Sequence, residues 1–247
     1  MNGHFRIEAQ DVVVVIHVYR NQISEAEKKA LQQCARVLSK YDIVVIHPQE
    51  LDISIYKTLI PQMKSMVFGS QYFGTIKGYN KLLISASFYQ TFAHYKYFLM
   101  FHLDAWVFED ALLEWCNKGY DYIGAPWLEE PVRGRTSALI PFTKICVNQV
   151  GNGGFCLRKI STHLRIAKRL KFLTPFYKYN EDVFWSILIP MIFRSYRKPS
   201  VQEALSFAFE YKPRECYAKT GGRLPFGCHA WERTDREFWN EHIHLDA

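Results

Sequence analysis

Four short clusters along this chain carry side chains able to hold a cation, an anion or a proton. The first is His102-Leu103-Asp104-Ala105-Trp106, directly after the apolar run Tyr97-Phe98-Leu99-Met100-Phe101. That run reads as a buried strand, with a lone carboxylate where the strand ends. In open α/β sheets, ligands sit just beyond the carboxyl ends of the strands. A hard divalent cation there needs one or two carboxylates, with water and substrate phosphates completing its shell. The second cluster is Val150-Gly151-Asn152-Gly153-Gly154-Phe155, whose glycines let backbone approach a ligand closely. Its spacing fits neither a Walker loop nor a dinucleotide fingerprint. The third is Asn180-Glu181-Asp182-Val183-Phe184-Trp185, two carboxylates opening a helix, either of which could act as a general base. The fourth is Gly227-Cys228-His229-Ala230-Trp231, whose imidazole suits a metal or a phosphate. Each also has a plainer counterpart: a capping Asp, a tight turn, acids favoured by a helix dipole, a packed His.

These clusters need elements to position them. Residues 11–18, Asp11-Val12-Val13-Val14-Val15-Ile16-His17-Val18, form a continuous β-branched run of the kind buried on both faces in a parallel sheet. Ser24 offers an N-cap, and Glu27 three positions on completes a capping box. Helical spacing of Ala30, Leu31, Cys34, Val37 and Leu38 follows, then a second buried strand at 43–47 closed by Pro48. This βαβ unit predicts a right-handed crossover and a doubly wound sheet. The pattern is helical again over 79–94, strand-like over 97–101, helical over 112–117 and strand-like over 120–124. Residues 128–143 read as a long loop. A short strand at 155–157 and helices at 161–170 and 182–189 come next. After Pro199 regularity fades, so the last stretch is expected to wrap the domain rather than build a second core.

With 247 residues, 49% of them hydrophobic and no linker or repeat, one domain over 1–247 is expected. The net charge of +7 and pI near 9.0 favour anionic partners such as phosphorylated substrates, nucleic acid or an acidic membrane surface. Six scattered Cys without a C-x-x-C pair read as reduced, buried thiols of a cytosolic protein. The opening residues show no signal peptide. The longest apolar stretch, 183–193, contains Pro190 and falls well short of the ~20 residues needed to cross a bilayer.

The order of the clusters resembles the GT-A glycosyltransferase superfamily, and within it a bacterial group carrying LDAW, NGGF, NEDxFW and GCHxW blocks. The resemblance runs from Val12 to about Trp231. It implies a single GT-A-like (Rossmann-like) α/β domain with a central, mainly parallel sheet flanked by helices. The nucleotide-binding half would be about 11–127 and the acceptor and catalytic half about 144–235. Asp104 resembles the second carboxylate of the superfamily's Asp-x-Asp metal motif, flanked by Leu103 and Ala105 at the donor, with His102 standing where the first Asp would be. His229 resembles the late His that completes the metal shell or touches the diphosphate. Gly153 and Gly154 resemble the pair lining the sugars. Asp182 resembles the catalytic base of inverting members, with Glu181 orienting the acceptor. His17, Tyr19 and Arg20 would lie beside the nucleotide, and Lys81 would meet the diphosphate.

The resemblance therefore implies an inverting hexosyltransferase. It would move a sugar from a UDP-sugar, with Mn²⁺ or Mg²⁺, to a glycan or lipid-linked acceptor in bacterial surface polysaccharide or lipopolysaccharide synthesis. A non-catalytic nucleotide- or sugar-binding domain is the alternative. A basic nucleic-acid-binding protein fits less well, because no recognisable module is present, and no nucleic-acid partner is expected. Residues 158–178 hold seven Lys and Arg and no acid, over an apolar stripe of Ile160, Leu164, Ala167 and Leu170. This basic amphipathic stretch reads either as a solvated face or as a contact with an anionic membrane. The latter would place a cytoplasmic protein peripherally on the inner face of the membrane.

Overall fold

The β-branched run at the start of the chain forms the strand Val12–His17 (β1), buried along its whole length. It is covered on both edges. Asp42–Pro48 (β2), followed outward by Lys64–Phe68 (β3), pairs in parallel on one side, and Tyr97–Phe101 (β4) pairs in parallel on the other. Both β1 and β4 are thus interior strands, as their apolar character requires. The computed structural model describes residues 6–129 and 143–244. Further strands are Ala105–Val107 (β5), Tyr122–Gly124 (β6), Pro126–Trp127 (β7), Gln149–Val150 (β8), Phe155–Lys159 (β9), Ala208–Phe209 (β10) and Gly227–His229 (β11).

The main sheet has the order β3-β2-β1-β4-β9-β6, and β9 runs antiparallel to both of its neighbours. This reversal matters for the site. Phe101, at the carboxyl end of β4, pairs with Phe155, at the amino end of β9. The glycine cluster that feeds β9 therefore lies beside the cluster that leaves β4. A smaller sheet, β10-β11-β5, performs a second join, pairing His229 with Ala105.

Helices cover both faces: Glu25–Val37 (α1), Ser54–Leu59 (α2), Ile76–Leu83 (α3), Ala86–Thr91 (α4), Leu112–Asn117 (α5), Thr143–Cys146 (α6) and Ile160–Arg169 (α7). Alternate β1 residues serve opposite layers. Val12, Val14 and Ile16 join a core with Leu31, Tyr56 and Trp115, whereas Val13 and Val15 join one with Leu82, Phe88 and Ile166. The capping box forms as its residues predict. Ser24 Oγ accepts from Glu27 N at 3.1 Å, and Glu27 Oε2 accepts from Ser24 N at 2.8 Å.

Three expectations need correction. The helical pattern over 79–94 is two helices, because Ser85 stops one and caps the next, its Oγ accepting from Phe88 N. A hydroxyl that satisfies an orphan N–H outweighs a continuous apolar stripe. The helix expected at 182–189 begins as Glu181–Val183 (α8), widens into a π-helical turn at Phe184–Leu188 and ends as Ile189–Ile192 (α9). π turns recur at functional sites, and this one lets the Trp185 indole donate to Leu83 O at 2.9 Å.

The tail is regular, against expectation. Val201–Phe207 (α10), Pro213–Lys219 (α11) and Arg236–Asn240 (α12) frame a satellite core with Trp106, Phe209, Trp231 and Trp239. Its elements are too short to show a helical period. Most of the loop expected at 128–143 lies outside the described residues. All six Cys are free and buried, and among the described residues no helix is long and apolar enough to cross a membrane.

Candidate active site

Two backbone bonds and one bond to a side chain position the four clusters. His102 N donates to Gly154 O at 2.9 Å, tying the end of β4 to the glycine cluster. Ala230 N donates to Asp104 O at 2.9 Å, extending the β5–β11 ladder to the late His. Glu181 N donates to the Asn80 side chain at 3.2 Å, fixing the start of α8 against α3. Above these joins, at the carboxyl ends of β1 and β4, opens a cavity of about 460 Å³. It is lined by His17, Tyr19, Arg20, Glu27, Tyr79, His102, Leu103, Asp104, Asn180, Asp182, Glu210, His229 and Arg233 among others.

At the base, His229 Nε2 lies 3.2 Å from Asp104 Oδ1, and Nδ1 donates to Glu210 Oε1 at 3.0 Å. Arg233 reaches the other Asp104 oxygen at 2.5 Å. Burial works against charge on His229, but the Asp104 and Glu210 carboxylates outweigh it and raise its pKa to about 10. Burial likewise opposes the Asp104 carboxylate, yet the His229 and Arg233 charges hold it well below its usual range. His102 is kept neutral, its pKa lowered to about 3 by burial and then by the His229 charge. Its Nε2 is engaged by the Tyr79 hydroxyl at 2.7 Å.

His102, Asp104 and His229 thus offer two imidazoles and a carboxylate, with ligand atoms within 4.8 Å of one another. Two cis ligands about 2.1 Å from one octahedral ion stand roughly 3 Å apart, close to the observed Asp104–His229 separation. A buried proton shared between an imidazole and a carboxylate also occupies the place a cation would take. The set therefore fits a divalent ion. Its nitrogen content favours a transition ion such as Mn²⁺ over Mg²⁺. Glu210 behind His229 supplies the outer carboxylate that commonly orients a ligating imidazole.

The two acids of the third cluster have different surroundings. Glu181 is buried and faces fully buried Arg158, 2.5 Å away as an ion pair. Burial pushes its pKa up and Arg158 opposes that. Asp182 lines the cavity, accepts from Val183 N at 2.7 Å and makes no ion pair among the described residues. Burial, then the neighbouring Glu181 and Glu210 charges, raise its pKa to about 7.

The glycines make room for these side chains. A Cβ on Gly153 would stand 2.2 Å from Glu181 Oε1, and one on Gly154 would stand 2.1 Å from His229 Nε2. Asn152 adopts φ 68° and its Oδ1 accepts from Gly154 N and Phe155 N at 2.7 and 3.0 Å. The cluster is a cradle under the site, and neither Gly153 nor Gly154 is part of the cavity wall.

His17, Tyr19, Arg20, Leu103, Asp104, Asp182 and His229 do line the cavity. Ala105 is buried in β5, and Lys81 is exposed on α3 away from the lining. Arg158 lies inside the molecule rather than on a solvated or lipid-facing surface, which corrects the reading of 158–178 as a uniform basic stretch. Glu27, Tyr79, Glu210 and Arg233 escaped sequence reasoning. Glu27 was legible only as a cap, and Glu210 stands in no motif.

A family model described as "Protein of unknown function (DUF5672)" matches residues 62–229. No curated protein matches the chain. Among solved structures, the chain is similar to the galactosyltransferase LgtC in complex with donor and acceptor sugar analogs, with a TM-score of 0.53, 11% identity, and coverage of 88% of this chain and 86% of LgtC. It is similar to the bifunctional glycosyltransferase WbbM at TM-score 0.55 and 15% identity, over 95% of this chain and 47% of WbbM. It is similar to the glycosyltransferase GlyE of Streptococcus pneumoniae TIGR4 at TM-score 0.50 and 13% identity, over 96% of this chain and 61% of GlyE. The chain thus spans about half of WbbM. At such identities the likeness establishes the fold, a GT-A-type α/β architecture.

Proposed function

The chain belongs to the DUF5672 family, and we propose that this member is a glycosyltransferase using a nucleoside-diphosphate sugar and a divalent ion. One observation carries the reading: Asp104 and His229, remote in sequence, meet at 3.2 Å on the floor of a cavity that Asp182 also lines. In this reading that floor is where a donor diphosphate would be held. His102, Asp104 and His229 would hold the ion, which when bound would neutralise charge developing on the diphosphate. Mn²⁺ is the candidate, and UDP-sugars are the first donors to test.

The protein's own groups supply the rest. Arg233, paired with Asp104 and half exposed, and Arg20, paired with Glu27, place two cations in the cavity lining. Both can turn toward phosphate oxygens. Tyr19, 49% exposed, offers a ring for the nucleobase or ribose. Asp182 takes the proton from an acceptor hydroxyl as that oxygen attacks the anomeric carbon. Glu181 is a positioning residue: clamped by Arg158, it fixes the turn from which Asp182 projects. A single displacement with Asp182 as base inverts the anomeric centre.

The test is incubation with UDP-hexoses, a glycan acceptor and Mn²⁺, reading nucleotide release and the anomeric configuration of the product by NMR. Transfer with inversion is expected. Retention would remove Asp182 from the role of base. Nucleotide binding without transfer or hydrolysis across donors would leave a binding domain instead.

A further inference from the structure

The segment joining α7 to the Glu181–Asp182 turn leaves its largest apolar side chains in solvent. Phe172 is 75% exposed, Leu173 65% and Phe176 77%; in the neighbouring segment Met191 is 73% and Ile192 55% exposed. The two segments adjoin. The Arg169 guanidinium lies 5.8 Å from the centre of the Phe193 ring, and Leu170 and Phe193 pack on the same core. Single exposed apolar residues need no explanation, but five large ones on adjoining segments mark an interaction site.

The charge around them selects the partner. Arg165, Lys168, Arg169, Lys171, Lys178 and Arg194 are all exposed. No Asp or Glu occurs in residues 158–178 or 183–200. Protein–protein interfaces are depleted of lysine. Aromatic and aliphatic side chains rimmed by Lys and Arg suit an anionic lipid surface, where the rings enter the headgroup boundary and the cations meet phosphates. We propose that this patch docks the protein on an anionic bilayer, Phe172, Leu173 and Phe176 being the inserting residues.

The placement has a consequence for the cavity. Asn180, which lines the cavity beside Asp182, is only four positions along the chain from Phe176. Those four steps span at most about 14 Å. Docking through Phe176 holds the Asp182 side of the cavity near the lipid headgroups, where a lipid-linked acceptor hydroxyl would be presented. This last step rests on the proposed transferase activity; the docking itself does not.

Co-sedimentation of the full chain with vesicles tests the docking without turnover. Binding is expected to vesicles of phosphatidylcholine with phosphatidylglycerol, and not to phosphatidylcholine alone, and to weaken as salt rises. Phe172→Ser with Phe176→Ser should weaken it on the order of tenfold or more, and Lys171→Glu with Lys178→Glu should abolish the preference for anionic lipid. Because these side chains are exposed, the variants should keep the wild-type melting temperature. Absence of binding to anionic vesicles would overturn the proposal, as would binding indifferent to both variant pairs. A dimer in light scattering that the Phe variants dissolve would assign the patch to self-association instead. Failure of vesicle binding would leave nucleotide-sugar turnover untouched, so the two readings fail separately.

Discussion

Asp182 owes its chemistry to a neighbour that cannot move. Glu181 is locked against Arg158, so its negative charge stays beside Asp182, and burial adds to it. The result is a carboxyl with pKa about 7 instead of 3.8, suited to accept a proton near neutrality. Asp182→Asn keeps size and polarity but removes the acceptor. Turnover should fall about 10²–10⁴-fold while nucleotide affinity stays within roughly twofold, because the base acts as the transition state forms. In the wild type, kcat/KM should fall about tenfold per pH unit below about 7, and the variant should lose that limb.

The same shift makes a stability prediction of opposite sense. A carboxyl whose folded pKa is raised contributes stability at low pH, and that contribution is lost as pH rises from 3.8 through about 7. Asp182→Asn should therefore melt higher than wild type above pH 7, with the gap closing as the pH approaches 3.8. An equal gap at all pH values, or one that widens in acid, would show that Asp182 is not held protonated by the fold. Asp182 and Asp104 were legible as residues because each follows a recognisable element end. Glu210 and Arg233 were not, since each acts only through a partner distant in sequence.

Among elements, the glycine cluster and α8 are one device. Asn152 turns the chain, Gly153 admits Glu181, Gly154 admits His229, and Arg158 two positions beyond Cys156 returns inward to neutralise Glu181. Arg158→Met would leave Glu181 as a buried, unpaired carboxylate and should cost about 3–5 kcal/mol in chemical denaturation. Adding Glu181→Leu to it should recover a large part, whereas additivity would mean that the pair is not coupled. Gly154→Ala forces His229 away from Asp104. It should abolish Mn²⁺-dependent nucleotide binding while leaving the main sheet intact, as read by circular dichroism.

Sequence reasoning saw the cluster as a ligand loop because glycines beside an Asn look alike whether backbone approaches a substrate or a side chain. It read β1, β2 and β4 correctly, because strands buried on both faces leave continuous apolar runs. It lost the tail, where elements of a few residues bury single faces. It merged α3 with α4, because the apolar stripe continues through Ser85 while the hydrogen bonds do not.

The molecule as a whole closes its cavity with residues from both ends of the chain: His17 leaves the first strand and Arg233 lies beyond the last. Ligands that bridge these residues bind the folded state alone, so their binding is folding stability. A nucleoside diphosphate meets the net charge of +7 and the Arg20 and Arg233 side chains of the cavity even without metal, so UDP alone should raise the melting temperature modestly. Mn²⁺ alone must displace the proton that His229 and Asp104 share, and should raise it little near neutral pH. Together, metal and diphosphate ligate each other as well as the protein. Saturation at a hundredfold over Kd corresponds to about 2.7 kcal/mol, or roughly 5–10 °C for a chain of this size. The joint shift should therefore exceed the sum of the separate ones. Asp104→Asn, compared with its own unliganded melting temperature, should keep the UDP shift and lose the synergy. If the two ligands gave strictly additive shifts in the wild type, or if Asp104→Asn kept the synergy, the His102, Asp104 and His229 group would be a purely structural ion network. The diphosphate would then be held by the arginines alone.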